Sequence, residues 1–165
     1  MRLLTGVAVA AVCLPCYGAY PDKPIRIVTP FPAGSVTDII ARPLAAKLTE
    51  AWGAVVVVDN RPGAGGNLAG DAVAKAAPDG YTLLIGSTGP VVVNALLYAK
   101  MPYDVHRAFA PITLTATAAL ILVVHPSMPV TSVKDLAALA KKRPAQLTYA
   151  SSGVGSTTHL ASALF

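Results

Sequence analysis

The chain has 165 residues, which is long enough for one domain with a substantial hydrophobic core. Hydrophobic residues make up 54% of it, which excludes an intrinsically disordered chain. The formal charge is +5, but the basic residues are scattered and no run pairs them with aromatic residues, so a nucleic-acid partner is not expected.

Residues 1–19 have the pattern of a secretory signal peptide. A charged start is followed by an uninterrupted small and apolar run over 3–14, and small residues recur towards residue 19. The run is short for a membrane span, and a poorly ordered N-terminal tail is the alternative. Both cysteines, Cys13 and Cys16, fall within this segment. The remaining chain therefore offers no disulfide, no cysteine nucleophile and no thiolate metal ligand.

After residue 19, strand and helix patterns alternate. The β-branched run 25–29 predicts a first strand, and the four valines 55–58 predict a strand buried on both faces. Apolar residues spaced four apart predict a helix over 36–52. The apolar face of that helix comprises Val36, Ile40, Leu44 and Leu48. The other predicted elements are helices over 67–76, 91–97 and 133–143, strands over 82–86, 111–117, 121–125 and 147–150, and the start of a helix over 157–165.

This order predicts an α/β fold with a parallel sheet flanked by helices, because βαβ units with short loops build such sheets. The turn after the first strand carries the most informative pattern. Prolines and Gly34 end the strand, and Ser35 with Asp38 three residues later forms a capping-box sequence. Backbone N–H groups at a helix N-terminus favour an anion. An ordinary βα turn would have the same sequence pattern.

Two further strand ends combine glycines with hydroxyl groups. Residues 87–89, Ser-Thr-Gly, follow the third predicted strand, and residues 151–156, Ser-Ser-Gly-Val-Gly-Ser, precede the last predicted helix. The second could offer N–H and O–H donors to a carboxylate or phosphate. The first lies at a strand end, where α/β folds usually bind ligands, and a plain turn is as likely there. His159 lies three residues after Ser156, so a Ser–His hydrolase of the esterase type is a second alternative, although a helical histidine is more often structural.

Other catalytic and cofactor patterns fail on spacing. The glycine-rich run 63–70 follows a strand, but Leu68 occupies the third glycine position of a dinucleotide fingerprint. A P-loop would need Lys-Ser/Thr where Asp71-Ala72 stands. The three histidines are far apart and show no metal-ligand spacing. The sequence therefore favours binding over catalysis, with no enzyme activity, no cofactor and no metal expected.

A set of short motifs runs in order from Tyr20 to the end of the chain. They are Tyr20-Pro-Asp-Lys-Pro-Ile25-Arg26, Pro30-Phe-Pro-Ala-Gly34, Asp38, Ala41-Arg42, Val56-Val-Val-Asp-Asn-Arg-Pro-Gly-Ala-Gly-Gly66, Ala77-Pro-Asp-Gly-Tyr-Thr-Leu84, Pro102-Tyr-Asp104, Tyr149-Ala-Ser-Ser-Gly-Val-Gly155 and His159-Leu160. Through this ordered set the chain resembles the substrate-binding proteins of tripartite tricarboxylate transporters, the Bug-type periplasmic receptors.

The resemblance implies a type II periplasmic-binding-protein fold of two domains that close on a ligand. It implies a signal peptide over 1–19, a first domain over 20–122, and a crossover with the beginning of a second, incomplete domain over 123–165. Members of this family are considerably longer. A truncated, non-functional fragment of such a receptor is therefore another alternative.

The resemblance also implies that the first turn and the serine-glycine turn face each other and hold a small anionic carboxylate. The family usually has a second glycine where this chain has Ser35. Membrane transporter subunits are the implied partners in the periplasm, with no nucleic acid and no stable oligomer. The implied ligand-binding residues are Phe31, Ala33, Gly34, Ser35, Asp38, Ser87, Ser152, Gly153, Gly155, Ser156, Thr157 and His159.

Overall fold

A computed structural model describes residues 20–165, so the predicted signal peptide lies outside the described residues. The strands are β1 (Ile25–Thr29), β2 (Val56–Asn60) and β3 (Thr82–Leu84). The helices are α1 (Val36–Trp52), α2 (Asn67–Ala74), α3 (Asn94–Leu97), α4 (Val133–Lys142) and α5 (Thr157–Leu164). A 3₁₀ turn, Ala64–Gly66, leads into α2, and a π-helical turn, Gly89–Val93, leads into α3.

The three strands form one parallel sheet in the order β2-β1-β3. In the central strand, Ile27 lies opposite Val58 on one side and Leu83 on the other. Ile25, Ile27 and Val28 are at most 1% exposed, which agrees with a strand covered on both faces. Because all three strands run in the same direction, the turns that follow them meet at one edge of the sheet. The predicted parallel α/β architecture is confirmed.

The apolar core lies between α1 and the sheet. Its buried members are Ile27, Ala41, Ala45 and Ile85, and the partly buried residues packed against it are Leu44, Leu48, Val56, Val58 and Leu83. Helix α1 has the bounds predicted for the helix over 36–52, but Val36 is 56% exposed and does not belong to its buried face. The small side chains Ala41 and Ala45 allow the helix to approach the strands closely. The buried face of α1 therefore differs from the apolar face that the sequence predicted.

The second strand was predicted to be buried on both faces, and this prediction is wrong. It is the edge strand of the sheet, and Val57 is 49% exposed. An edge strand has a neighbour on one side only, so a continuous apolar run does not guarantee burial. The strand also begins at Val56 and extends to Asn60, past the predicted end.

Three predicted strands, 111–117, 121–125 and 147–150, are not strands in the structure. A strand needs a partner for its backbone N–H and C=O groups, and nothing within residues 20–165 pairs with these segments. Ile112, Leu114, Ile121 and Val123 are between 78% and 82% exposed. Their β-branched and apolar composition gave the expectation, but composition alone does not supply a pairing partner.

The other predicted elements form with changed bounds. The helix predicted over 67–76 ends at Ala74, the strand over 82–86 ends at Leu84, and the helix over 91–97 is the π-helical turn followed by α3. In α4, Ser132 Oγ accepts a hydrogen bond from Asp135 N, so a serine caps the start of this helix. None of the helices in residues 20–165 is long and apolar enough to cross a membrane.

Candidate functional site

The first turn, Pro30–Ser35, is closed by Asp38 in a way that differs from the predicted capping box. Ser35 is the N-cap residue of α1, but its Oγ lies 3.2 Å from Thr37 Oγ1 and caps no backbone N–H. The Asp38 carboxylate accepts from Gly34 N at 2.9 Å, one residue further back than predicted. Ser35 N donates instead to Pro32 O at 3.1 Å. The turn therefore uses the N–H groups of Gly34 and Ser35 internally.

Asp38 is the electrostatic centre of this turn. It is 3% exposed, and Arg42 Nε donates to its Oδ2 at 2.9 Å while Asn60 Nδ2 donates to its Oδ1 at 2.9 Å. The hydrogen bond from Arg42, and then those from Gly34 N–H and Asn60, lower the pKa of Asp38 to about 2. The carboxylate is therefore ionised at neutral pH, and its oxygens are engaged by the protein. Its role as a ligand-binding residue stays a prediction.

Asn60, which sequence reasoning did not place in the site, ties the sheet to the turn. Besides Asp38, its Nδ2 lies 2.7 Å from Thr29 Oγ1 and 3.1 Å from Phe31 O. Its Oδ1 accepts from Arg42 Nη2 at 3.3 Å. The side chain thus joins the ends of β1 and β2 to the start of α1. Its position at the carboxyl end of a strand was the only signal available in the sequence.

The first three N–H groups of α1 make no hydrogen bond to the described part of the protein. Among residues 20–165, no acceptor is found for the N–H groups of Val36, Thr37 and Asp38. Gly34 has φ +82°, and a Cβ built on it would meet nothing within 4 Å. Open space therefore adjoins a helix terminus with unpaired donors.

The serine-glycine turn, Ser151–Ser156, ends in a second capped helix. Ser156 is 1% exposed, and its Oγ accepts from His159 N at 3.2 Å. Gly155 N donates to His159 Nδ1 at 3.4 Å. Within the described part of the chain, the N–H groups of Thr157 and Thr158 have no acceptor. This helix start therefore also has unpaired donors.

The contacts of Ser156 and His159 are those of a helix cap. Ser156 Oγ bonds to the main-chain nitrogen of His159 and lies 3.0 Å from Thr158 Oγ1, while the imidazole Nδ1 accepts from Gly155 N–H. A general base has to accept the proton of the nucleophilic hydroxyl. The observed bonds instead hold both side chains to the backbone of the turn.

The glycine loop, Gly63–Gly66, brings the two turns to the same region. A Cβ on Gly66 would lie 2.9 Å from Pro30 Cβ, and one on Gly65 would overlap Val154 O. The first turn and the serine-glycine turn therefore both pack on this loop. The glycines of this loop therefore allow the close packing.

The other predicted site residues fall around the same edge of the sheet. Phe31 is half-buried, Ala33 is exposed, and Ser87 follows β3 and accepts from Val91 N at 3.3 Å through its carbonyl. Ser152 Oγ lies 2.9 Å from Thr158 Oγ1. Gly153 has φ +114° and open space where a Cβ would be. Gly155 is buried, with its N–H engaged by His159, so it is turned towards the protein.

Two concave surfaces on residues 20–165 have linings outside the two turns. One hollow of about 240 Å³ is lined by residues 21–24 and 52–55, and a broader one of about 630 Å³ lies between α1 and β2. Neither is lined by a predicted site residue. Within residues 20–165, no three His, Cys, Asp or Glu side chains cluster as a metal site would require.

Similar solved structures define the class of protein. An R. palustris protein, Rpa4515 with adipate, has a TM-score of 0.78 and 40% identity, and the match covers 88% of this chain and 48% of that one. The periplasmic binding protein BugD has a TM-score of 0.75 and 34% identity, over 88% and 48% of the two chains. The fold is therefore that of the periplasmic solute-binding proteins, as the resemblance implied.

The sequence comparisons define the family. The model of the tripartite tricarboxylate transporter family receptor matches residues 40–165. The protein BugT of Bordetella pertussis is 40% identical over 161 residues, which are 96% of this chain and 49% of BugT. A protein of Pseudomonas sp. strain P51, from the tcbD-tcbE intergenic region, is 42% identical over 99% of this chain and 49% of its own length. The chain belongs to the tripartite tricarboxylate transporter receptor family, which is a family of receptors and not of enzymes. The chain spans about half the length of these relatives.

Proposed function

We propose that this chain acts in a periplasmic receptor that captures a small carboxylate and passes it to the membrane subunits of a tripartite tricarboxylate-type transporter. In this proposal residues 1–19 are a cleaved signal peptide. Residues 20–122 form the first lobe, and residues 123–165 form the crossover and the beginning of the second. No cofactor or metal takes part, because binding needs only hydrogen-bond donors.

One observation carries the proposal: two helix N-termini, whose first N–H groups have no acceptor among the described residues, follow turns that pack on the same glycine loop. At α1 the donors are the N–H groups of Val36, Thr37 and Asp38, and at α5 they are those of Thr157 and Thr158. Each helix N-terminus carries a partial positive charge, so both ends favour a negatively charged group.

The known ligands of similar proteins support a carboxylate as this negatively charged group. Rpa4515 was solved with adipate, and MatC of Rhodopseudomonas palustris, which matches 56% of this chain with a TM-score of 0.53 and 37% identity, was solved with bound malate. Both ligands carry two carboxylates. Carboxylate oxygens accept hydrogen bonds only, which suits a site composed of backbone N–H and hydroxyl donors.

The proposal predicts that charge decides binding. We expect adipate or malate to bind with micromolar or lower Kd in a calorimetric titration of the purified protein. The neutral diamide of adipic acid should bind at least about tenfold more weakly, because hydrogen bonds to a charged group are stronger than those to a neutral one.

The same titration can contradict the proposal in two ways. Equal affinity for adipate and its diamide would show that anion capture is not the basis of binding. A protein that melts cooperatively yet binds no dicarboxylate or tricarboxylate would refute carboxylate capture by this chain. A cooperative melt, recorded first, ensures that the titrated protein is folded.

A further inference from the structure

We propose that Asn94 and Tyr98, at the two ends of α3, are positioning residues that latch the serine-glycine turn onto the first lobe. The latch places the N-terminus of α5 relative to that of α1. Its effect on ligand affinity rests on the proposed function, but the latch itself consists of contacts between protein groups and can be tested without ligand.

Tyr98 makes the direct polar contact with the turn. Its hydroxyl donates to Val154 O at 3.1 Å, across 56 residues of sequence. The Tyr98 main-chain N–H closes α3 by donating to Asn94 O at 2.9 Å, so the tyrosine backbone is fixed by the helix. The bond therefore connects an anchored residue of the first lobe to the middle of the turn.

Asn94 forms the floor under the turn. It is 0% exposed, and its Nδ2 donates to Asn67 Oδ1 at 2.6 Å and to Gly65 O at 3.2 Å. Asn67 is itself 3% exposed, so the two amides form a buried pair at the start of two helices. This pair fixes the glycine loop on which Val154 rests, because a Cβ on Gly65 would overlap Val154 O.

The remaining oxygen of Asn94 faces the turn without a hydrogen bond. Asn94 Oδ1 is buried and has no partner among the described residues, and a Cβ on Gly155 would overlap it. A buried acceptor without a partner costs free energy, which offsets much of the gain from the Tyr98 bond. This cost weakens the docking without abolishing it, so the docked turn opens transiently and the latch can open.

Gly89 offers a selective way to disturb the latch. A Cβ on Gly89 would lie 2.6 Å from Gly155 O, and its φ lies outside the left-handed region. Gly89 begins the π-helical turn, where alanine is a better helix former than glycine. Gly89→Ala should therefore displace the serine-glycine turn without straining the backbone of the first lobe.

The test is amide hydrogen exchange of the whole protein without ligand, measured by mass spectrometry. We expect peptides that cover 151–160 to exchange about tenfold faster in Tyr98→Phe and in Gly89→Ala, because opening of a docked segment costs about the free energy of its lost contacts. Peptides that cover β1 and α1 should exchange as in the wild type. Tyr149→Phe is the matched control, since the Tyr149 hydroxyl has no hydrogen-bond partner within the described residues and its side chain is 56% exposed.

Unchanged exchange over 151–160 in both variants would overturn the latch, and so would an equal acceleration in all peptides, which would show a general effect on stability. The consequence for binding is separate. If the proposed function holds, adipate affinity should also fall about tenfold in both variants. If the two variants exchange faster over 151–160 as expected but the wild-type protein binds no carboxylate, the proposed function is refuted and the latch is still supported.

Discussion

Replacing Asp38 by asparagine is expected to lower the midpoint of thermal unfolding at pH 7 by roughly 5 to 10 °C. The carboxylate accepts hydrogen bonds from Gly34 N–H, Arg42 Nε and Asn60 Nδ2. Asparagine keeps the shape of the side chain, but one of the two oxygens becomes an NH₂ group. This group would face either the Gly34 and Arg42 donors or the Asn60 donor, so the hydrogen bonds on that side would be lost. The loss is large because one side chain joins the first turn, α1 and β2.

The effect should depend on pH in a direction set by the pKa of Asp38. The folded protein lowers this pKa from 3.8 to about 2. A lowered folded-state pKa stabilises the protein at any pH above the unfolded value, and this stabilisation is lost as the pH falls from about 4 to about 2. The difference in melting midpoint between wild type and Asp38→Asn should therefore shrink over that range.

Thermal melts at pH 7, 5, 3 and 2 check this prediction, with Asp135→Asn as the control. The pKa of Asp135 is also lowered, first by its hydrogen bond with Ser132, but this residue is exposed and, among residues 20–165, its carboxylate bonds only to groups at the start of its own helix. Its replacement should change the midpoint much less. A constant difference across the pH range for Asp38→Asn, or an equal loss for Asp135→Asn, would contradict the proposed role of Asp38.

The second large effect is expected on carboxylate binding when backbone N–H donors are removed from the starts of α1 and α5. Val36 and Thr157 are the first residues of α1 and α5, where proline is tolerated because the N–H takes no part in the helix. The preceding residues, Ser35 at φ −70° and ψ 164° and Ser156 at φ −69° and ψ 158°, already have the extended conformation that proline requires before it. Val36→Pro and Thr157→Pro should thus each remove one donor and keep the helix.

Each proline variant is expected to weaken carboxylate binding by about tenfold or more, since a hydrogen bond to a charged group contributes about 1.5 to 3 kcal/mol. Val36→Ala and Thr157→Ala remove the side chains but keep the N–H groups, so they should bind nearly as the wild type does. Val133→Pro makes the same change at the start of α4, which follows neither turn, and serves as the control for the folded state. Calorimetric titration with adipate measures all five variants.

Much of the fold was predictable because its signals are local. The bounds of β1 and α1 agree with the sequence prediction, since a β-branched run, an N-cap serine and the left-handed Gly53 lie next to the ends they define. The caps at Ser132 and Ser156 also depend on local contacts, since each serine bonds to the N–H group three residues ahead. The segments 111–117 and 121–125 were predicted wrongly because a strand depends on a distant partner, and the sequence does not show whether one is present.

The same distinction between local and distant contacts decides which parts of the candidate site could be predicted. The sequence located the two turns, because glycines and hydroxyl residues mark them. It did not identify Asn60, whose bonds reach 22 to 31 residues away to Asp38, Phe31 and Thr29, or Tyr98, whose partner Val154 lies 56 residues away. It also did not show that Gly34 N–H is engaged by Asp38, because that bond depends on the bend of the turn.

The most direct measurement of the central claim is the adipate affinity of the double variant Val36→Pro/Thr157→Pro. If the starts of α1 and α5 hold one anion together, both losses should appear in a single titration, and affinity should fall by about a hundredfold with one ligand bound per chain. An affinity equal to that of the wild type, in a double variant that melts like Val133→Pro, would show that carboxylates are held by other groups.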